Sequence, residues 1–335
     1  ASGGTPGTEN SVNASKPDLT GPRLLSAIPI SATQLKLRFD EKLSEVLPPP
    51  AAFVISPMLV VLQVNFAGSS LRELVLELES PIKLQQRYVV TTTSIYDCSG
   101  NSIQEDHREA TFGFPEPAEV GDVVINEILF NPRPFGVDFL ELFNRSDKYI
   151  NLKNWSVGNF ENGSTLNLRT ITTEDFLLPP KAFIALTVDP FTVHSHYPHA
   201  EELLKAEALP SFPDDEGTVS LVSDGAELLD SFLYTDDYHS TFLRDREGVS
   251  LERIHADRLT NDANNWKSAA SVVGYATPGY KNSNSKEMVS TTWKVSVQPE
   301  IFIPVFGQPN FTEIRYSFEQ GGKVANLKIL DHQGR

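Results

Sequence analysis

Residues 34–39 read Gln-Leu-Lys-Leu-Arg-Phe, apolar at every second position, and the same alternation returns at 71–78, 87–92, 122–130, 138–144, 182–188, 218–222 and 249–254. A period of two puts successive side chains on opposite faces of an extended strand, so each segment predicts a strand with one face for a core. The helical period of 3.6 is nearly absent. The best helix candidate is a turn or two at 200–206, and 23 prolines and 20 glycines punctuate the remainder. Many short strands with few helices predict an all-β chain built as a string of sandwiches.

A length of 335 residues exceeds what one core organises and predicts two or three units. Turn-rich, apolar-poor stretches at 115–121 and 277–286 set the expected boundaries. They give a flexible Gly/Ser/Thr/Asn tail over 1–16, a unit over 17–116, a second over 119–284 and a partial one over 287–335. The last ends after two strands, so it reads as truncated or as completed by a strand from elsewhere.

The formal charge of −16, from 28 basic and 44 acidic residues, repels phosphate backbones and anionic membranes, which speaks against a nucleic-acid partner. The longest apolar stretch, 51–67, is broken by Ser56, Pro57, Gln63 and Asn65, so no transmembrane segment is expected. One cysteine, Cys98, leaves no intrachain disulfide and no cysteine zinc site. It lies in an Asp-Cys-Ser-Gly-Asn turn with no basic neighbour and reads as an unreactive thiol.

Three resemblances follow from longer stretches. GDVVINEILFNP (121–132), DFLELFNRSDKYINLKNWSVGN (138–159), LLPPKAFIALTVD (177–189), GVSLERI (248–254) and the closing NNWKSA…TPGYKNS (264–283) together resemble the lamin-tail domain. That resemblance implies an immunoglobulin-like β-sandwich for the middle unit, and for the chain a string of such sandwiches. It implies a fold, since modules of that family are appended to nuclear filaments and to bacterial secreted or surface proteins alike. LKLRFDEKL (35–43), FVIS (53–56) and YVVTTTSIYDCSGNSI (88–103) look like a bacterial surface immunoglobulin-like domain of S-layer and adhesin proteins. Residues 297–335 are similar to the opening strands of a C-terminal sandwich of proteins exported by the type IX route. Where that family carries an acidic loop, this chain has Ile303, Pro304, Val305, Phe306, Gly307 and Gln308, with no carboxylate for a hard cation.

Candidate chemistry is sparse. No Gly-x-Ser-x-Gly elbow, phosphate loop, His-Glu-x-x-His or dinucleotide fingerprint occurs, so no catalytic residue is assigned and the chain reads as a non-enzyme. His194, His196 and His199 form the one histidine cluster. On a strand, the first two would share a face and could start a metal site, against an ordinary exposed loop. Asp214, Asp215 and Glu216 read as a turn before the next strand. Calcium is the ion they would suit, and no other cofactor is expected. The loop 131–137 exposes Arg133 and Phe135 on a Pro/Gly-stiffened tip, either a recognition point or a plain connection between strands.

Glu127, Glu141 and the Glu252–Arg253 pair fall inside strand patterns. Alternation puts Ile125, Glu127 and Leu129 on one face, and the expected role is a register-fixing ion pair between one glutamate and Arg253. Trp155 and Trp266 read as core rather than as sugar platforms. The functional expectation is a non-catalytic secreted or outer-surface module for spacing, presentation or binding of a protein or glycan. The alternatives are a carbohydrate-binding or adhesion module, or an accessory region of a larger secreted enzyme.

Overall fold

The computed structural model describes residues 18–285, 294–298 and 312–317. The expected tail over 1–16 and most of 287–335 lie outside the described residues. Among the described residues the fold is all-β apart from one α-helix and short 3-10 turns, and the chain divides into two compact units.

The first unit takes residues 18–118 together with 146–153 and 172–181. Its strands are β1 (Leu24–Ser31), β2 (Gln34–Phe39), β3 (Phe53–Ser56), β4 (Val61–Phe66), β5 (Glu73–Leu78), β6 (Tyr88–Thr92) and β7 (Glu109–Phe112). One sheet runs β1-β2-β5-β4 and the other β3-β6-β7. Alternation decides the layering: Leu35, Leu37, Phe39, Leu74, Leu76 and Leu78 point inward to a core completed by Tyr88, Val90 and Phe112. Lys36 reaches Asp175 at 3.0 Å and Arg38 reaches Glu174 at 2.9 Å, so residues 172–181 join this unit by ion pairs as well as by Leu177.

The second unit continues the numbering with β8 (Val123–Leu129), β9 (Phe139–Asn144), β10 (Ile150–Asn151), β11 (Ser156–Glu161), β12 (Ser164–Thr170), β13 (Leu177–Leu178), β14 (Phe183–Thr187), α1 (Pro190–His196), β15 (Leu203–Lys205), β16 (Glu216–Val222), β17 (Leu228–Thr235), β18 (Leu251–Arg253) and β19 (Trp266–Ser268). Of these, the short pair β10–β13 belongs to the first unit. The remainder form a six-stranded sheet, β15-β14-β9-β8-β18-β19, and a four-stranded sheet, β12-β11-β16-β17. Strands β20 (Lys294–Gln298) and β21 (Glu313–Ser317) form an antiparallel pair.

Both tryptophans expected in the core are buried, and Trp266 stacks on Phe232 at 3.8 Å between ring centroids while its indole N–H donates to the Thr260 carbonyl. The helix differs from expectation: residues 190–196 are helical and 203–205 form a strand. Asp189 caps the helix, accepting from the Phe191 and Thr192 amides, and Pro190 occupies the first turn where its missing N–H costs nothing.

Every residue of β8 is buried, which a strand with one wet face cannot show. One face meets the four-stranded sheet, where the Ile125 amide donates to Asp230 of β17. The other face is covered by the irregular closing segment 276–284. A bulge between Ile125 and Glu127 breaks the alternation expected for this strand.

Candidate functional site

The register of the six-stranded sheet fixes which connections share an end. Leu129 pairs with Phe139, Phe139 with Thr187, and Leu251 with Ser268, one residue from the Leu129 rung. The β8–β9 loop, α1, the 236–250 loop and the 270–275 turn after β19 therefore leave the sheet at the same end. Each presents one large apolar side chain to solvent: Phe135 is 98% exposed, Phe191 82%, Phe242 95% and Val272 90%. Phe135, Phe191 and Phe242 are the exposed phenylalanines among the described residues, and none lies elsewhere.

Arg133 holds this end together. Its guanidinium donates to the His196 carbonyl at 3.0 Å and to the Gly274 carbonyl at 3.1 Å, and it lies 5.0 Å over the Tyr197 ring. A Cβ on Gly248 would come within 2.3 Å of the Arg133 stem, and Gly248 also has φ +72°, so only glycine lets the 246–248 turn approach. The Tyr197 hydroxyl donates to the Gly248 carbonyl at 2.9 Å. Arg133 is thus half-buried and committed to three segments, while Phe135, two residues on, stands free with a left-handed φ of +63°.

Asp214 and Asp215 come to this end too, through the loop before β16. The Asp236 amide donates to the Asp215 carbonyl, and Asp214 faces Asp138 at the root of the β8–β9 loop, whose carboxyl is pushed up to about 7 by burial and by the Asp214 charge. The histidine expectation is corrected. His194 and His196 sit in the last turn of α1, where residues two apart point about 200° apart by helical geometry, so they do not share a face. Among the described residues, three metal-ligand side chains converge only at Asp18, Glu41 and Asp97 in the first unit. There Asp97 is spent on its own turn, accepting from the Ser99 and Asn101 amides and the Asn101 side chain.

The main feature that sequence reasoning missed is a rung of three fully buried glutamates. Glu127 pairs with Glu141 on one side and with Glu252 on the other. The bulge turns Asn126 and Glu127 toward the same face, and the Asn126 amide donates to Glu141 at 2.7 Å. The closing segment supplies the remaining donors: the Thr277 amide to Glu127 at 2.9 Å, the Gly279 amide to Glu141 at 2.7 Å, and the Ser283 and Asn284 amides to Glu252 at 3.0 and 2.9 Å. Irregular backbone is thereby satisfied by side chains where a further strand would have used ladder bonds. Burial and then the Glu252 charge push Glu127 up to about 8, and burial and then Glu127 hold Glu141 well above the carboxylate range.

The expected glutamate–Arg253 pair is also corrected. Glu252 and Arg253 are neighbours on one strand and face opposite sides, so Arg253 points into the sandwich. There it meets Asp230 at 3.6 Å, donates to the Ile125 carbonyl at 2.9 Å and lies 6.0 Å from the Trp266 ring. Beside it a cavity of about 530 Å³ is lined by Arg145, Asp230, Asp257, Arg258 and Thr260, its cations facing carboxylates rather than open space. His239 is buried against Phe130 with Nδ1 on the Ser268 hydroxyl, and burial lowers it to about 4.

Strand order, the covered β8 and the closing segment together define the second unit. Residues 116–236 match the family model of the Lamin Tail Domain. The matched lamin-tail segment includes Glu127, Glu141, Arg133 and Phe135 and stops before Glu252 and the closing segment. A search of the curated proteins finds no match. Among solved structures, the N-terminal part of the bacterial S-layer protein SbsC overlaps 49% of this chain and 44% of its own, at 16% identity and a TM-score of 0.27. A DUF4876 family protein from Bacteroides thetaiotaomicron overlaps 84% of this chain and 97% of its own, at 10% identity and a TM-score of 0.29. The chain spans less than half the length of the S-layer structures, 44% and 41% of two of them.

Proposed function

We propose that the chain is a non-catalytic binding module, secreted or carried on the outer cell surface, that engages a protein or glycan through the loop-bearing end of its lamin-tail unit. The observation that carries this reading is the gathering of Phe135, Phe191, Phe242 and Val272, nearly fully exposed, on four connections at one end of one sheet. Single exposed apolar residues are ordinary, whereas a concentration of exposed aromatics on loops at one end is the pattern of a recognition surface. Arg133 acts from beneath as a positioning residue, and Asp214 and Asp215 supply polar contacts at the rim. The extracellular placement rests on the resemblance of the flanking segments to bacterial surface and export modules.

The test compares the full chain with a variant carrying Phe135→Ser, Phe191→Ser and Phe242→Ser on a glycan array and on intact bacterial cells. The reading expects binding by the parent and at least tenfold weaker binding by the variant at unchanged thermal stability. Equal binding by the two proteins would remove it.

A further inference from the structure

We propose that the Glu127–Glu141–Glu252 rung is a proton-operated latch, holding the closing segment 276–284 on the six-stranded sheet while the rung retains a proton and loosening it when that proton leaves. This inference is independent of the binding role proposed above.

The Thr277 hydroxyl lies 2.9 Å from Glu127 Oε2 and 2.9 Å from Glu252 Oε1, and it owns one hydrogen. It donates to one carboxyl and is left to accept from the other, which requires that the other carry a proton. The Ser250 hydroxyl repeats the problem between Glu127 Oε1 and the Tyr275 carbonyl. Three carboxyls adjacent on one rung, all fully buried, cannot all be ionised without a cation, and none of the three has an ion-pair partner among the described residues.

The rung continues onto β19, where the exposed Lys267 is the register partner of Glu252, beyond it from Glu127 and Glu141 and without an ion pair to it. Tyr280 and Glu201 come from the closing side, and Tyr197 comes from beyond α1; Asn126 and Asn282 contribute amides. Arg133 is engaged with Tyr197 and two carbonyls, and Arg253 faces into the sandwich. Four backbone amides of the closing segment end on these carboxyls, so the rung is what anchors the segment. Emptying the rung sets like charges side by side and turns Thr277 into a donor short by one hydrogen.

The sign follows from linkage. A carboxyl that keeps its proton to about pH 8 when folded, against about 4.5 when unfolded, makes the folded state bind more protons, so stability is greatest in mild acid and falls as pH rises through that window. Asp138 pulls the same way up to about 7, while His239, held near 4, pulls the opposite way below 6.5.

The experiment measures denaturant unfolding of the full chain and of Glu127→Gln at pH 6.5 and 9. Asp138 is common to both and cancels. The parent is expected to lose about thirtyfold more in its folding constant than the variant over this range. Amides 277–284 of the parent should lose hydrogen-exchange protection in the same interval. Parallel pH profiles for the two proteins overturn the latch. If Glu127→Gln does not fold, carboxyl ¹³C titration of the parent decides: a buried glutamate still protonated at pH 7 supports the latch, and ionisation of all three below pH 6 overturns it.

Discussion

Arg133 separates two roles that a loop residue can have, because its side chain is anchored under the surface that Phe135 presents. Arg133→Ala removes two hydrogen bonds from a charged donor, at 3.0 and 3.1 Å, and the contact with Tyr197. Such bonds contribute roughly 1.5–3 kcal/mol each and a cation–π contact about 0.5–1. The bond to Gly274 is open to water, so a net loss of about 2–3 kcal/mol is expected for the second unit. Chemical denaturation followed by tryptophan fluorescence reads that unit, since Trp155 and Trp266 are both buried in it. Arg133→Lys should recover less than half, because an ammonium on a flexible stem cannot span carbonyls on two separate turns while stacking on a ring. A change below about 0.5 kcal/mol for Arg133→Ala would refute the anchoring argument and return Arg133 to the list of free recognition residues.

Phe135 should behave in the opposite way. With φ at +63° and 98% exposure, Phe135→Gly relieves a left-handed strain and buries nothing less, so stability should rise by about 1 kcal/mol in the same assay while binding falls. Asp230→Ala leaves the buried Arg253 guanidinium without its carboxylate and orphans the Ile125 amide, so about 3–5 kcal/mol of destabilisation is expected by denaturant unfolding.

The strands of the first unit were legible because each has one dry face. In β2 and β5 the buried positions are the alternate ones, and period two is all the information the core needs. The β8 segment was legible as a strand, yet its details were not. Covering on both faces removes the polar face that would betray register, and a one-residue bulge at Asn126 shifts which neighbour Glu127 meets. The helix at 190–196 did leave a signal in Asp189-Pro190, a capping residue before a first-turn proline, but it is too short for a helical period to appear. Of the candidate residues, Arg133, Phe135, Asp214 and Asp215 belong to two separate loops in the sequence, and topology carries all four to one end.

By itself, the sequence determined the all-β class, the strands with a single buried face, the two core tryptophans and the lamin-tail likeness, because these depend on local alternation and on side-chain size. Only the tertiary structure decided that three glutamates from strands far apart in sequence share one rung, that Arg253 turns from them to Asp230, and that four loops converge on one end. Each of these is a relation between strands, fixed by register and by a single bulge, and no stretch of chain carries it alone.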